Sequence, residues 1–93
     1  MNHSFIENES YVLENTLGDK FYYLNGKFHR MDGPSIEYSS GRKEWYYHGV
    51  RHRENGPAIE FADGVKHWYY HGNLILVKSQ VEFEKYLKLI FMR

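Results

Sequence analysis

Five of the six histidines fall between positions 29 and 71, and two pairs, His48/His52 and His67/His71, are spaced four apart. Same-face spacing on a strand could bring two such imidazoles, together with His29, toward one metal ion. However, His48 and His52 flank a turn at Gly49, and with no cysteine and no aspartate pair nothing completes a tetrahedral set. The pattern favours histidines that cap hairpins through hydrogen bonds. No metal and no cofactor is expected.

The second constellation is His-Arg-x-(Asp/Asn)-Gly-Pro, at His29 to Pro34 and again at His52 to Pro57. A histidine, an arginine and a carboxylate suggest acid–base work. Yet a motif written twice in the same context is structural more readily than catalytic. In a loop, Arg30 and Arg53 could bind neighbouring carbonyls or the glutamate of the repeat and stack on a tyrosine. There is no nucleophile–base pair and no phosphate-cradling glycine loop, so an enzyme is not expected.

The third is the basic, aromatic run Gly41 to Arg53, "GRKEWYYHGVRHR", which could stack on and clamp single-stranded nucleic acid. Against it, 12 Lys plus Arg balance 12 Asp plus Glu. Without a net field, long-range recruitment of nucleic acid or anionic lipid is absent. Glu37, Glu44, Glu54 and Glu60 are distributed through the same segments.

The elements that must position these residues come from an internal repeat. Sliding the chain by 23 places residues 22–49 on 45–72 with 15 of 28 positions identical, including the pentapeptide Trp-Tyr-Tyr-His-Gly at 45–49 and 68–72. A repeat of this length signals one supersecondary unit that stacks on its neighbours. The unit reads as β. Glycine recurs at 26, 33, 41, 49, 56, 64 and 72, leaving no room for ordinary helices. Asn25-Gly26, Asp32-Gly33, Asn55-Gly56 and Asp63-Gly64 suggest tight turns at positive φ. Alternation puts Ile36 with Tyr38 and Ile59 with Phe61 on one face, and Glu37 and Glu60 on the other. Trp45 with Tyr47 and Trp68 with Tyr70 oppose Tyr46 and Tyr69, whose hydroxyls would reach water on an open face. Aromatic residues make 18 % of the chain, so they also enlarge a thin core. The unit beginning at Tyr22, Leu24 and Asn25 departs from the pattern, as a degenerate cap would.

Glycine disappears after Gly72, and Ser79-Gln80-Val81-Glu82 is a capping box. Phe83, Tyr86, Leu87 and Ile90 then fall on one helical face. The expected fold is mainly β (α+β), an antiparallel meander of repeated hairpins with one C-terminal helix. It is a single domain, 1–93, made of an N-terminal segment 1–19, repeats over 20–77 and a helix over 79–91. A small domain of this kind buries only about 60 to 65 % of its unfolded surface, which disfavours a deep catalytic cleft. No basic segment followed by an apolar run and no stretch of 18 apolar residues is present. The composition suits a soluble, cytoplasmic protein that does not enter the membrane.

The segments "HRMDGPSIEY" (29–38) and "HRENGPAIEF" (52–61) resemble the HRxDGPA-type, MORN-like hairpin repeats of short phage and bacterial proteins. The resemblance covers residues 20–77. It implies a binding surface, and for a phage-encoded member a role as an inhibitor that occludes a host defence protein, in the manner of an anti-CRISPR. From the residues themselves, the expected partner-binding face is led by Tyr46, Tyr69, Arg51, Arg53 and His71, residue types that dominate interface hot spots. The expected partner is a host protein, with single-stranded nucleic acid as the alternative. Self-assembly through a sheet edge or the C-terminal helix is the third reading.

Overall fold

The computed structural model describes residues 9–92, which form ten short strands and one helix. These are β1 (Ser10–Glu14), β2 (Lys20–Leu24), β3 (Lys27–Phe28), β4 (Ile36–Glu37), β5 (Lys43–Glu44), β6 (Tyr46–Tyr47), β7 (Val50–Arg51), β8 (Ile59–Glu60), β9 (Lys66–Tyr70), β10 (Asn73–Ile75) and α1 (Gln80–Phe91). The main sheet runs β1-β2-β4-β5-β8-β9-β10, with β3 on β2, while β6 and β7 pair separately. All the pairings are antiparallel. The fold is therefore a β-rich hairpin meander with one C-terminal helix, as the repeat predicts. Strand β1, inside the stretch read as an N-terminal segment, is an addition that the repeat does not signal.

Each unit contributes two hairpins. At Asn25-Gly26, His48-Gly49 and His71-Gly72 both residues of each pair have positive φ, at 51/79°, 48/81° and 48/85°. That is the geometry whose twist matches flanking strands. Histidine in this region is uncommon, and here its backbone is held: His48 N donates to His29 Nδ1 at 2.9 Å and His71 N to His52 Nδ1 at 2.8 Å. Histidines thus cap hairpins, one unit capping the next.

The Asp32-Gly33 and Asn55-Gly56 pairs, which the sequence suggests as turns of the same kind, differ. Neither glycine has positive φ. What requires them is space, since a Cβ at Gly33 would stand 2.9 Å from Arg30 Cζ, and one at Gly56 2.4 Å from Arg53 Cζ.

Register sorts the two faces. Phe21, Ile36, Glu44, Ile59 and His67 stand side by side across five strands. The next row, on the opposite face, is Lys20, Glu37, Lys43, Glu60 and Lys66, alternating in sign. Each such opposite-charge cross-strand pair contributes roughly 0.2–1 kcal/mol and opposes a slip of register.

The helix packs on the last unit and touches the loop before it, where Gln80 Nε2 donates to the Glu54 carbonyl at 3.0 Å. Ser79 caps it, accepting from Glu82 N at 3.2 Å, while Glu82 accepts from Lys78 N, one residue ahead of the cap. Phe83 and Leu87 form one cluster with Trp68, and Tyr86, Ile90, Tyr70, Ile75 and Val77 pack against it. Away from the helix, Ser35, Ile36, Glu44, Ala58 and Ile59 are also buried, and the molecule measures 48 × 33 × 18 Å. No helix among the described residues is long and apolar enough to cross a membrane.

Candidate functional site: an aromatic ladder and a repeated groove

The five residues expected to form one binding face divide between the two faces of the sheet. Tyr46, Arg51 and Tyr69 lie together on the face of Glu44. Arg53 and His71 lie on the other.

On the first face, ring follows ring across the sheet. Tyr11 stacks on Tyr23 at 5.1 Å, Tyr23 meets Phe28 at 5.0 Å, and Phe28 meets Tyr46 at 5.3 Å. Arg51 continues the row, its guanidinium carbon 5.3 Å from the Tyr46 ring and 4.9 Å from Tyr69. The row is anchored by Glu44, which is only 3 % exposed. Glu44 accepts hydrogen bonds from Arg51 Nη2 and from the Tyr46 hydroxyl, each at 2.9 Å. Arg42 Nε stands 2.8 Å from its second oxygen, close in charge but without the alignment of a hydrogen bond. Two guanidiniums thus flank one buried carboxylate, which is paired rather than isolated.

The Tyr46 hydroxyl, expected in water, is therefore engaged with protein. Burial, then the bond to Glu44, pushes its pKa above the usual tyrosine value. Burial also works against the charge on Arg51, but Glu44 and Tyr46 together outweigh it and hold the guanidinium more firmly protonated than usual. The ladder's rings are largely covered by one another. Its cation is already neutralised.

On the second face each His-Arg loop is a clamp. Arg30 donates through Nε to Asp32 at 2.9 Å and through Nη1 to the Pro34 carbonyl and to Glu37, at 3.2 and 2.9 Å. Its plane covers the Tyr22 ring, with Cζ 4.0 Å from the centroid. Arg53 repeats this on Asn55, the Pro57 carbonyl and Glu60, at 3.2, 3.0 and 3.0 Å, and covers Trp45 at 3.8 Å. The sequence foretells these carbonyl and glutamate partners. Only the ring under Arg53 differs, a tryptophan in place of a tyrosine.

Between successive clamps lies a groove of about 820 Å³, its lining including Met31, Asp32, Tyr46, Tyr47, Glu54, Arg53 and His71, so three of the five expected residues meet at it. A second groove, of about 500 Å³, lies one unit earlier and uses His29, Arg30 and Met31. On the rim, Tyr47 is 44 % and Met31 77 % exposed. Two of the histidines along the grooves, His29 and His52, are already occupied. His29 and His52 accept backbone amides at Nδ1, which fixes those nitrogens unprotonated, and His52 Nε2 lies 3.2 Å from Glu54. Burial first, and the nearby His48 second, hold His29 below the ordinary histidine pKa. Among the described residues no group of three or more metal-ligating side chains converges.

Sequence reasoning misses Glu44, Met31 and Tyr47. For Glu44 the signal is a departure from the repeat: positions 42, 44 and 51 carry Arg, Glu and Arg where the next unit has Val65, His67 and Leu74. Three charges that change together mark an ion-paired hub.

No known protein family, curated protein or solved structure matches the chain.

Proposed function

We infer that this protein is a non-enzymatic protein-binding module whose contact surface is the groove between the clamped His-Arg loops. One observation carries the reading: the groove is pre-organised. Its walls are fixed by guanidinium bonds to carbonyl, amide and carboxylate oxygens, so binding need not freeze them, and Tyr47 and Met31 present apolar area at the rim. Arg53 acts in this reading as a wall and His71 as a rim residue. The ladder residues Tyr46, Arg51 and Tyr69 stiffen the sheet behind them. In its narrower form, which rests on the resemblance to HRxDGPA-type repeats, the module is a phage-encoded inhibitor that occludes a host defence protein.

The rival reading, single-stranded nucleic acid stacked on the ladder, is less favoured because ladder rings cover one another and Arg51 is neutralised by Glu44. The test is affinity capture from a bacterial lysate, with and without nuclease, using the native protein and Met31→Ala/Tyr47→Ala. A defined protein that survives nuclease and is lost in the double variant is the expected result. Capture that vanishes with nuclease, or that ignores the variant, overturns the reading.

A further inference from the structure

The chain contains its own example of what such a groove holds. Trp68, Tyr70, Ile75 and Val77 make the surface on which α1 rests through Phe83 and Leu87. Moving back one unit of 23 converts these four residues to Trp45, Tyr47, His52 and Glu54, and all four line the larger groove. Moving back again gives Tyr22, Leu24, His29 and Met31, and all four line the smaller. The molecule thus carries three equivalents of one helix-docking surface. Only the last is covered by a helix; at the other two an arginine lies on one ring, Arg53 on Trp45 and Arg30 on Tyr22, and the groove beside it is open.

Two differences say what the open middle surface would accept. In the last unit the Trp68 indole N–H donates to Gln80 Oε1 of α1 at 2.8 Å. The Trp45 indole N–H, at the equivalent position in the repeat, makes no hydrogen bond among the described residues, so it remains available as a donor. The second difference is charge. Where the covered surface has Ile75 and Val77, the open one has His52 and Glu54, with Asp32 across the groove. The Asp32 and Glu54 side chains are 85 % and 55 % exposed. Arg30 is divided between Asp32 and Glu37, and Arg53 is held by Glu60, so around the groove four carboxylates share two guanidiniums and the exposed Asp32 and Glu54 oxygens can take a further cation.

We propose that the groove over Trp45 takes an amphipathic helix of another protein, seated as α1 sits over Trp68. That helix carries a side-chain acceptor in its first turn for the Trp45 indole and an apolar anchor against Tyr47. Its flank presents lysine or arginine to Asp32 and Glu54. This rests on the binding function inferred above and names the partner's chemistry. A second copy's α1 is the poorer occupant, since its first turns carry Glu82 and Glu84, the wrong sign for this groove.

Two synthetic peptides test the assignment: residues 78–92 as they stand, and the same peptide with Glu82→Lys and Glu84→Lys. Each is titrated into the isotopically labelled full-length protein and followed by backbone amide shifts. The expected result is that the lysine peptide moves the amides of Met31, Trp45 to Tyr47 and Glu54, binds at least tenfold more tightly than the unaltered one, and loses that advantage in Glu54→Gln. A tighter unaltered peptide would assign the groove to a second copy and overturn the basic-helix proposal. Shifts confined to Trp68 or to the ladder would overturn it too, as would none at millimolar peptide. If lysate capture needs Met31 and Tyr47 while the lysine peptide leaves the groove untouched, the binding function stands and the helix assignment falls. If capture ignores those residues, both fall.

Discussion

Trp45 and Trp68 occupy the same place in the same pentapeptide, yet they are covered by different means. Over Trp45 lies the guanidinium of Arg53, 3.8 Å from the ring. Over Trp68, where the next unit has Leu76 in place of the arginine, lies the helix. Trp68 is 5 % exposed, whereas Trp45 is half-buried. A strand that repeats must have its aromatic covered every time. Within the array a cation from the following loop does this and holds that loop in place, and at the end of the array an apolar helix takes over.

The largest effect should come from the helix side of the comparison. Phe83 is fully buried, so Phe83→Ala should cost about 3–5 kcal/mol by transfer and cavity terms, read as a fall in the urea midpoint. A loss no greater than that of a clamp variant would erase the distinction between the two covers. Next is Arg53→Ala, which leaves Glu60 and the Pro57 carbonyl without their shared donor and bares Trp45. It should cost roughly 2–3 kcal/mol. Arg53→Lys should recover less than half of that, because an ammonium cannot present the planar fork; full recovery would show that charge alone matters. Gly56→Ala should cost about 1–2 kcal/mol by pushing the guanidinium off its partners, and combining it with Arg53→Ala should add little further, which a double-mutant cycle measures.

The smallest effect is on pH. His29 has a folded-state pKa below its unfolded value near 6.5, so the folded state prefers the neutral ring. Its contribution is complete above the unfolded value and is lost as pH falls from there through the folded one. Urea midpoints at pH 7.5 and 5.5 should differ, and His29→Gln should remove part of the difference. An unchanged difference would show that the His29–His48 cap is indifferent to protonation.

Much of this was legible in the chain because the repeat compares the sequence with itself. The hairpins, the clamp role of Arg30 and Arg53, and the helical stripe of Phe83, Tyr86, Leu87 and Ile90 all follow from spacing and residue type. The division of the predicted binding face did not. Arg51 and Arg53 are two apart and read as one face by alternation. Their intervening chain, however, turns over: His52 N donates to the Trp45 carbonyl, and the very next amide, Arg53 N, donates to that of Tyr69. Once consecutive amides bond to different strands, parity no longer tracks a face. Glycine likewise misled at positions 33 and 56, where the requirement is room for a guanidinium that sequence alone does not place.

The clamp also bears on how a gene for such a protein can change length. Each arginine closes on the ring eight residues before it, Arg30 on Tyr22 and Arg53 on Trp45, so every interior unit brings both halves of its own lock. Duplicating one 23-residue unit would insert two further hairpins, a further groove and a further clamp while presenting α1 with the same terminal surface. Array length is then free to drift in whole units, and the number of grooves with it.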